Sequence, residues 1–204
     1  MKSDEEIPFY RELADNLTKV RLYGSYVLAG YIVKKGPDFR NWKSFSLAGG
    51  LMITDYLDGV FARKSKIPSS EGAKKDEEND KIFYQNVLAS MAIASGDKRY
   101  LTYGSINQLR DIQVSKKRTE LRENDLSAQA RNLGKRKTQS QDIALLLDLS
   151  TIGKHFPDFV HSIHAATVGL SLVSGVDVIL NANKQLADKS YNQLNIVSDS
   201  IEYN

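Results

Sequence analysis

Four aspartates carry the chemistry that the sequence can support. Asp55 and Asp58 stand three apart, and Asp76 and Asp80 four apart. On a helix each of these pairs shares one face. Between them, residues 64–71 include Pro68-Ser69-Ser70, a turn signal that suits an antiparallel helix hairpin able to gather all four carboxylates. Four anions so close would repel one another and resist ionisation unless cations offset them. Hard divalent ions with oxygen ligands, Mg²⁺ or Mn²⁺, answer that need, and they bridge carboxylates to substrate phosphates. Gly59 and Gly72 have no side chain and Ala62 a minimal one, which leaves room for a ligand or a neighbouring backbone beside the metals. Arg63 offers the planar fork of donors that matches a diphosphate.

Any one of these pairs alone reads as solvated surface charge. The whole pattern does not: eight specified positions, at usages of about 5–7% each, coincide by chance on the order of 10⁻¹⁰ per starting point. A second set of candidates is basic. Arg110 and Arg118 are eight apart, so they project from similar faces of one helix and can converge on a phosphate. Lys135 and Lys137 follow. A solvated helix face is the competing reading for all four, and the preferred one for Lys116 and Lys117.

The elements that must position these residues are helical. The chain has 204 residues, with 28 Lys plus Arg against 25 Asp plus Glu, a net charge of +3 and no cysteine. Its mean hydropathy is −0.39, with 41% hydrophobic and 26% charged residues, near the averages for a globular chain. These values exclude a collagen-like repeat, a generically disordered polymer and a disulfide scaffold. A charge of +3 does not call for nucleic acid. The acidic start, Met1-Lys2-Ser3-Asp4-Glu5-Glu6, does not read as a secretory leader. The four prolines (Pro8, Pro37, Pro68, Pro157) suit helix edges. Long Leu-, Ala-, Ile- and Lys-rich stretches between them predict an all-α fold, with helices near 9–20, 20–35, 42–64, 73–96, 100–131, 137–153 and 159–183. Residues 1–184 read as one domain and the polar residues 185–204 as an exposed tail. No stretch reaches the eighteen or so uninterrupted apolar residues of a typical span, so hydropathy alone favours a soluble bundle.

The carboxylate segment resembles the motif of the CDP-alcohol phosphatidyltransferase family, D-x-x-D-G-x-x-A-R, a spacer, then G-x-x-x-D-x-x-x-D, with every position filled. Arg110-Asp-Ile-Gln-Val-Ser115-Lys-Lys-Arg118 is similar to the R-E-I-x-V-S-x-x-R stretch of the family's phosphatidylglycerophosphate synthases. Gly134-Lys135-Arg-Lys137-Thr138-Gln-Ser-Gln141 is similar to their G-K-x-K-T-x-x-Q, and Thr18-Lys-Val-Arg21 to the T-x-x-R that opens the first span. The resemblance, over roughly residues 15–180, implies a six-helix transmembrane bundle with an N-terminal amphipathic interfacial helix. It implies a multi-pass protein of the cell membrane with its active site facing the cytoplasm. Asp55, Asp58 and Asp76 would bind two Mg²⁺ or Mn²⁺ ions and the cytidine diphosphate. Asp80 would be the base that deprotonates the acceptor, and would also touch a metal. Gly59, Ala62, Arg63 and Gly72 would line the nucleotide site, and Arg110, Arg118, Lys135 and Lys137 would hold the acceptor's phosphate. The implied substrates are CDP-diacylglycerol and glycerol 3-phosphate, the implied partners are membrane lipids rather than nucleic acid, and the implied assembly is a homodimer.

This chain departs from the pattern in its polarity. Gln85, Asn86, Asn107 and Gln108 stand where apolar residues are usual, Ala73 to Asp80 is hydrophilic, and Asp15 replaces an asparagine. Either these groups face the bundle interior, or the lipid-facing surface itself has become polar. Alternative functions are the same transfer to another acceptor, inositol phosphate or a phospholipid, and a soluble non-catalytic protein that retains the metal and nucleotide site. His155, His161 and His164 read as packed or interface residues, with no carboxylate to complete a site. Phe9 and Tyr10 read as part of a surface-lying amphipathic helix.

Overall fold

A computed structural model describes the backbone of residues 6–64, 70–128 and 132–202, and the side chains of residues 9–10, 12–61, 79, 81–128 and 133–191. Among the described residues the chain is all-α. Its helices are α1 (Glu6–Lys35), α2 (Trp42–Lys64), α3 (Ser70–Ser95), α4 (Arg99–Glu123), α5 (Asn132–Leu149), α6 (Thr151–His155) and α7 (Pro157–Glu202), with a 3₁₀ turn at Gly36–Phe39.

Helix boundaries follow the local chemistry. The 3₁₀ turn carries Pro37, and Pro157 opens α7, a position where its missing N–H costs nothing. α3 stops at Gly96, whose φ of +71° lets its N–H reach the Ala92 carbonyl at 2.9 Å. α4 ends earlier than the sequence pattern predicts. Asn124 and Asp125 turn the chain back, Asp125 at φ +56°, and the Leu126 N–H bonds the Leu121 carbonyl at 2.8 Å. The two N-terminal helices expected at 9–20 and 20–35 are one continuous helix of 30 residues, about 45 Å long, because no proline or cap interrupts residues 9–35. No separate interfacial helix exists among the described residues: Tyr10 stacks on Phe61 of α2, ring centroids 6.0 Å apart. The polar segment after Gln185 is likewise helical, continuing α7 to Glu202, and Lys189 Nζ donates to the Asn124 carbonyl at 2.7 Å.

α1 packs on both α2 and α3, α3 on α4, and α7 on α4 and α5. An apolar core joins Leu28, Ile32, Phe39, Leu51, Val87, Leu88, Met91, Leu145 and Leu149. It lies toward the end of the bundle that carries the 3₁₀ turn and the α3–α4 loop. There Arg40 and His164 meet the fully buried Asp148, at 2.9 and 3.0 Å, and Tyr100 donates to the same carboxylate at 2.8 Å. His161 meets Asp97 at 3.1 Å. His161 and His164 are packed, as expected, but each has the carboxylate partner that sequence spacing did not reveal. Of the described helices α7 alone is long and apolar enough to cross a bilayer, an 18-residue stretch within Pro157–Tyr191 having a mean hydropathy of 1.7. Among the described residues one helix therefore qualifies as a span by length and composition.

Candidate active site

The opposite end of the bundle carries the aspartates. On α2, Asp58 is buried and Asp55 half-exposed. Their spacing of three residues is matched on α1 by Thr18 and Arg21, and the two helices run antiparallel. Thr18 Oγ1 donates to Asp58 Oδ2 at 3.1 Å, and the Arg21 guanidinium forms an ion pair with Asp55 Oδ1. Arg21 is itself only 2% exposed. A guanidinium removed from water needs a counter-charge, and here Asp55 on the neighbouring helix supplies one.

α3 runs parallel to α1. Asn86 Nδ2 donates to Ser25 Oγ at 3.2 Å, and Tyr100, just past the end of α3, meets Arg40, just past the end of α1, at 2.7 Å. Stepping back equally from Ser25 and Asn86 brings Thr18 level with Asn79. The backbone positions of Asp76 and Asp80 thus lie at the height of Asp55 and Asp58. The side chains of Asp76, Asp80, Ala62, Arg63 and Gly72 lie outside the described residues, and Gly59 is half-buried on α2. Among the described residues no three acidic or histidine side chains form a ready cluster. The donor set still suits hard divalent cations. Asp55 and Asp58 are both anchored by α1 on one face of α2, and Asp55 rests against a positive charge.

The basic residues divide into two groups. Arg110 and Lys137 converge on Asp111: Arg110 reaches Oδ1 at 2.6 Å, and Lys137 Nζ bonds both oxygens at 3.2 Å. Arg110 also donates to the Ser171 carbonyl at 3.1 Å and to Ser174 Oγ at 2.7 Å, which ties α4 to α7. A Cβ on Gly175 would sit 2.9 Å from Arg110 Cγ, so glycine makes room for this side chain. Lys135 is exposed and Arg118 half-buried. Sequence reasoning did not single out Asp111, Lys81 or Ser115. Lys81 Nζ donates to Ser115 Oγ at 2.8 Å, across from α3 to α4. The signal for Asp111 was its place beside Arg110, and for Lys81 its place beside Asp80. Gln85 and Asn86 face other helices, Gln85 bonding the Gly104 carbonyl at 2.9 Å.

Comparison with known proteins fits this arrangement. A stretch of 96 residues is 33% identical to the CDP-diacylglycerol–glycerol-3-phosphate 3-phosphatidyltransferase of Mycoplasma pneumoniae. That match covers 47% of this chain and 41% of the relative, less than half the length of either. The profile of CDP-alcohol phosphatidyltransferases matches residues 11–174, a range that holds the α1–α2 pairing, the α3 aspartates and the Asp111 cluster together. By that match over most of its length, the chain belongs to the CDP-alcohol phosphatidyltransferase family.

Proposed function

We propose that the protein transfers a phosphatidyl group from CDP-diacylglycerol to glycerol 3-phosphate, giving phosphatidylglycerophosphate and CMP. The observation that carries this reading is the pairing of Thr18 with Asp58 and Arg21 with Asp55. It fixes the first half of the aspartate motif beside the helix that bears the second half. Asp55, Asp58, Asp76 and Asp80 would hold Mg²⁺ or Mn²⁺, which when bound offsets charge on the diphosphate and the leaving CMP. Gly59, Ala62, Arg63 and Gly72 leave space for the cytidine nucleotide and meet it, with the fork of Arg63 suited to its diphosphate. Asp80 accepts the proton of the acceptor hydroxyl. That oxygen bonds to the lipid-side phosphorus, and the bond from phosphorus to the CMP oxygen breaks. The acceptor's phosphate is held by the basic residues of α4 and α5, Arg110 and Lys137 foremost, with Arg118 and Lys135 beside them. The name of the Mycoplasma relative supports this acceptor.

The reading includes a multi-pass location in the cell membrane, with the aspartate end toward the cytoplasm. Large apolar side chains exposed along the bundle support it, among them Tyr23 and Val27 on α1, Ile53 on α2, Ile93 on α3, Leu109 on α4 and Val173 on α7. The test is CMP release by the purified full chain with Mn²⁺ or Mg²⁺, CDP-diacylglycerol and each of glycerol 3-phosphate, inositol phosphate and glycerol. Glycerol 3-phosphate should be the preferred acceptor, and Asp80→Ala should lower turnover by about a thousandfold. Preference for inositol phosphate would reassign the acceptor. Nucleotide binding without CMP release would leave a non-catalytic binding protein.

A further inference from the structure

α7 has 46 residues, Pro157–Glu202, and is about 69 Å long at the α-helical rise. A hydrocarbon layer of about 30 Å takes up about 20 of them, so the helix runs well past any bilayer that it crosses. Along its outer face Ser162, Ala166, Gly169, Val173, Val176, Leu180, Asn183, Ala187 and Ser190 follow spacings of four and three in turn, and every one is exposed. In the sequence the same spacing continues to Leu194, Val197 and Ile201, on a backbone that stays helical to Glu202. None of these positions is charged, although 26% of the chain is. Lys184, Asp188, Lys189, Asp199 and Glu202 all stand off the line. A face in water would carry charge, and an uncharged face made for lipid would end with the bilayer; a line uncharged through both suits a second helix. The alternation of three and four keeps such a line against its partner over many turns. Ala166 and Gly169 are small enough for two backbones to approach closely, and a Cβ on Gly169 would meet nothing within 4 Å. The opposite face of α7 packs on the bundle, where Ser171 and Ser174 meet Arg110, His164 meets Asp148 and Lys189 meets Asn124.

We infer that α7 pairs with α7 of a second copy of this chain in a parallel two-helix seam that runs from Ser162 to Ile201. The line is about 60 Å long and, at a helix width of about 10 Å, covers about 600 Å² on each copy. The total of about 1,200 Å² reaches the lower end of a specific, stable interface. A second copy presents the identical line, so each seam residue meets its own counterpart across the two-fold axis, Asn183 against Asn183 included. The inference rests on the membrane location proposed above, which holds the two copies in the same orientation.

The chain has no cysteine, so a single introduced thiol reports on one position. Ala187→Cys, Leu194→Cys and Val197→Cys test the seam, and Asp188→Cys and Asn192→Cys test the faces beside and behind it. On mild oxidation of the full chain in the membranes of expressing cells, the seam variants should form covalent dimers at least about fivefold more than the other two, because only there do paired Cα atoms come within disulfide reach. A second measurement uses no thiol: the detergent-solubilised parent should have the mass of a dimer by light scattering, and Leu194→Lys combined with Val197→Lys should have that of a monomer. Equal cross-linking at all five positions, or a parent of monomer mass, would overturn the inference and leave lipid or water to cover the line. The location is judged separately, by fractionation. A chain recovered in the supernatant that still cross-links along the seam would remove the bilayer and keep the pairing, while a membrane-bound chain that fails to cross-link there would do the reverse.

Discussion

At the scale of single residues, the distinctive contact is Arg21 on Asp55. A buried guanidinium opposite a half-exposed carboxylate offsets its charge and aims it across the α1–α2 seam. A divalent ion arriving at the aspartates supplies the same kind of charge, so the two should be partly interchangeable for stability. Arg21→Gln should therefore lower the melting temperature of the metal-free protein, and added Mn²⁺ should raise it by more than it raises the parent. Thermal unfolding in detergent with EDTA or Mn²⁺ measures both, and an equal metal shift in the two proteins would mean that Arg21 does not stand in for the ion. This contact was half legible in the sequence. T-x-x-R and D-x-x-D have equal spacing, and equal spacing on antiparallel helices makes them fit, but only the fold shows which helix faces which. Asp111 was not legible as a site residue, because a lone carboxylate beside Arg110 looks the same in sequence whether it faces solvent or binds two cations.

At the scale of elements, the sequence pattern located the helices and misjudged where several of them begin or stop. Apolar periodicity marks the α2 and α3 spans closely, and its failures have local causes. Nothing between residues 9 and 35 breaks the chain, so two expected helices are one. Asn124-Asp125 stops α4 by a positive φ that a run of polar residues does not advertise. The α3–α4 loop is the element whose chemistry answers to pH. Asp97 accepts bonds from Arg99 at 3.0 and 3.1 Å and pairs with His161 at 3.1 Å, while Asp158 shares Arg99 at 3.3 Å. The bonds from Arg99 hold the Asp97 carboxyl below its usual range. A depressed folded-state pKa gives stability that is present above the unfolded value and lost as pH falls through the folded one. Asp97→Asn should thus melt lower than the parent at pH 7, and the gap should close only as the pH drops below the ordinary aspartate range near 4. A gap constant between pH 7 and pH 3 would assign the difference to shape rather than charge. The neighbouring Arg40–Asp148–His164 set lay beyond sequence reach, since its members come from three separate elements.

For the whole molecule, the open choice is what surrounds the outward faces. Val173, Val176 and Leu180 on α7 are 60%, 56% and 63% exposed, and only 39% of that helix's apolar window is buried in the bundle. The polar residues that depress the chain's hydropathy point the other way: Ser25, Asn107, Ser171 and Ser174 are buried, and Gln85 and Asn86 bond across helices. Small polar groups between helices and branched apolar groups outside suit the lipid surround proposed above, where interhelical packing cannot draw on the hydrophobic effect. Average hydropathy is blind to that arrangement because it counts composition and not direction. Val173→Arg decides between surrounds. In water an exposed valine on a helix tolerates arginine within about 0.5 kcal/mol. At the middle of a bilayer the same charge costs about 2.5–3.5 kcal/mol on insertion scales. The variant should therefore disappear from the membrane fraction or fall several-fold in amount there, while Ser190→Arg, on the polar stretch of α7, should not. Val173→Arg protein recovered at parental levels in the supernatant, folded and active, would show that α7 lies in water.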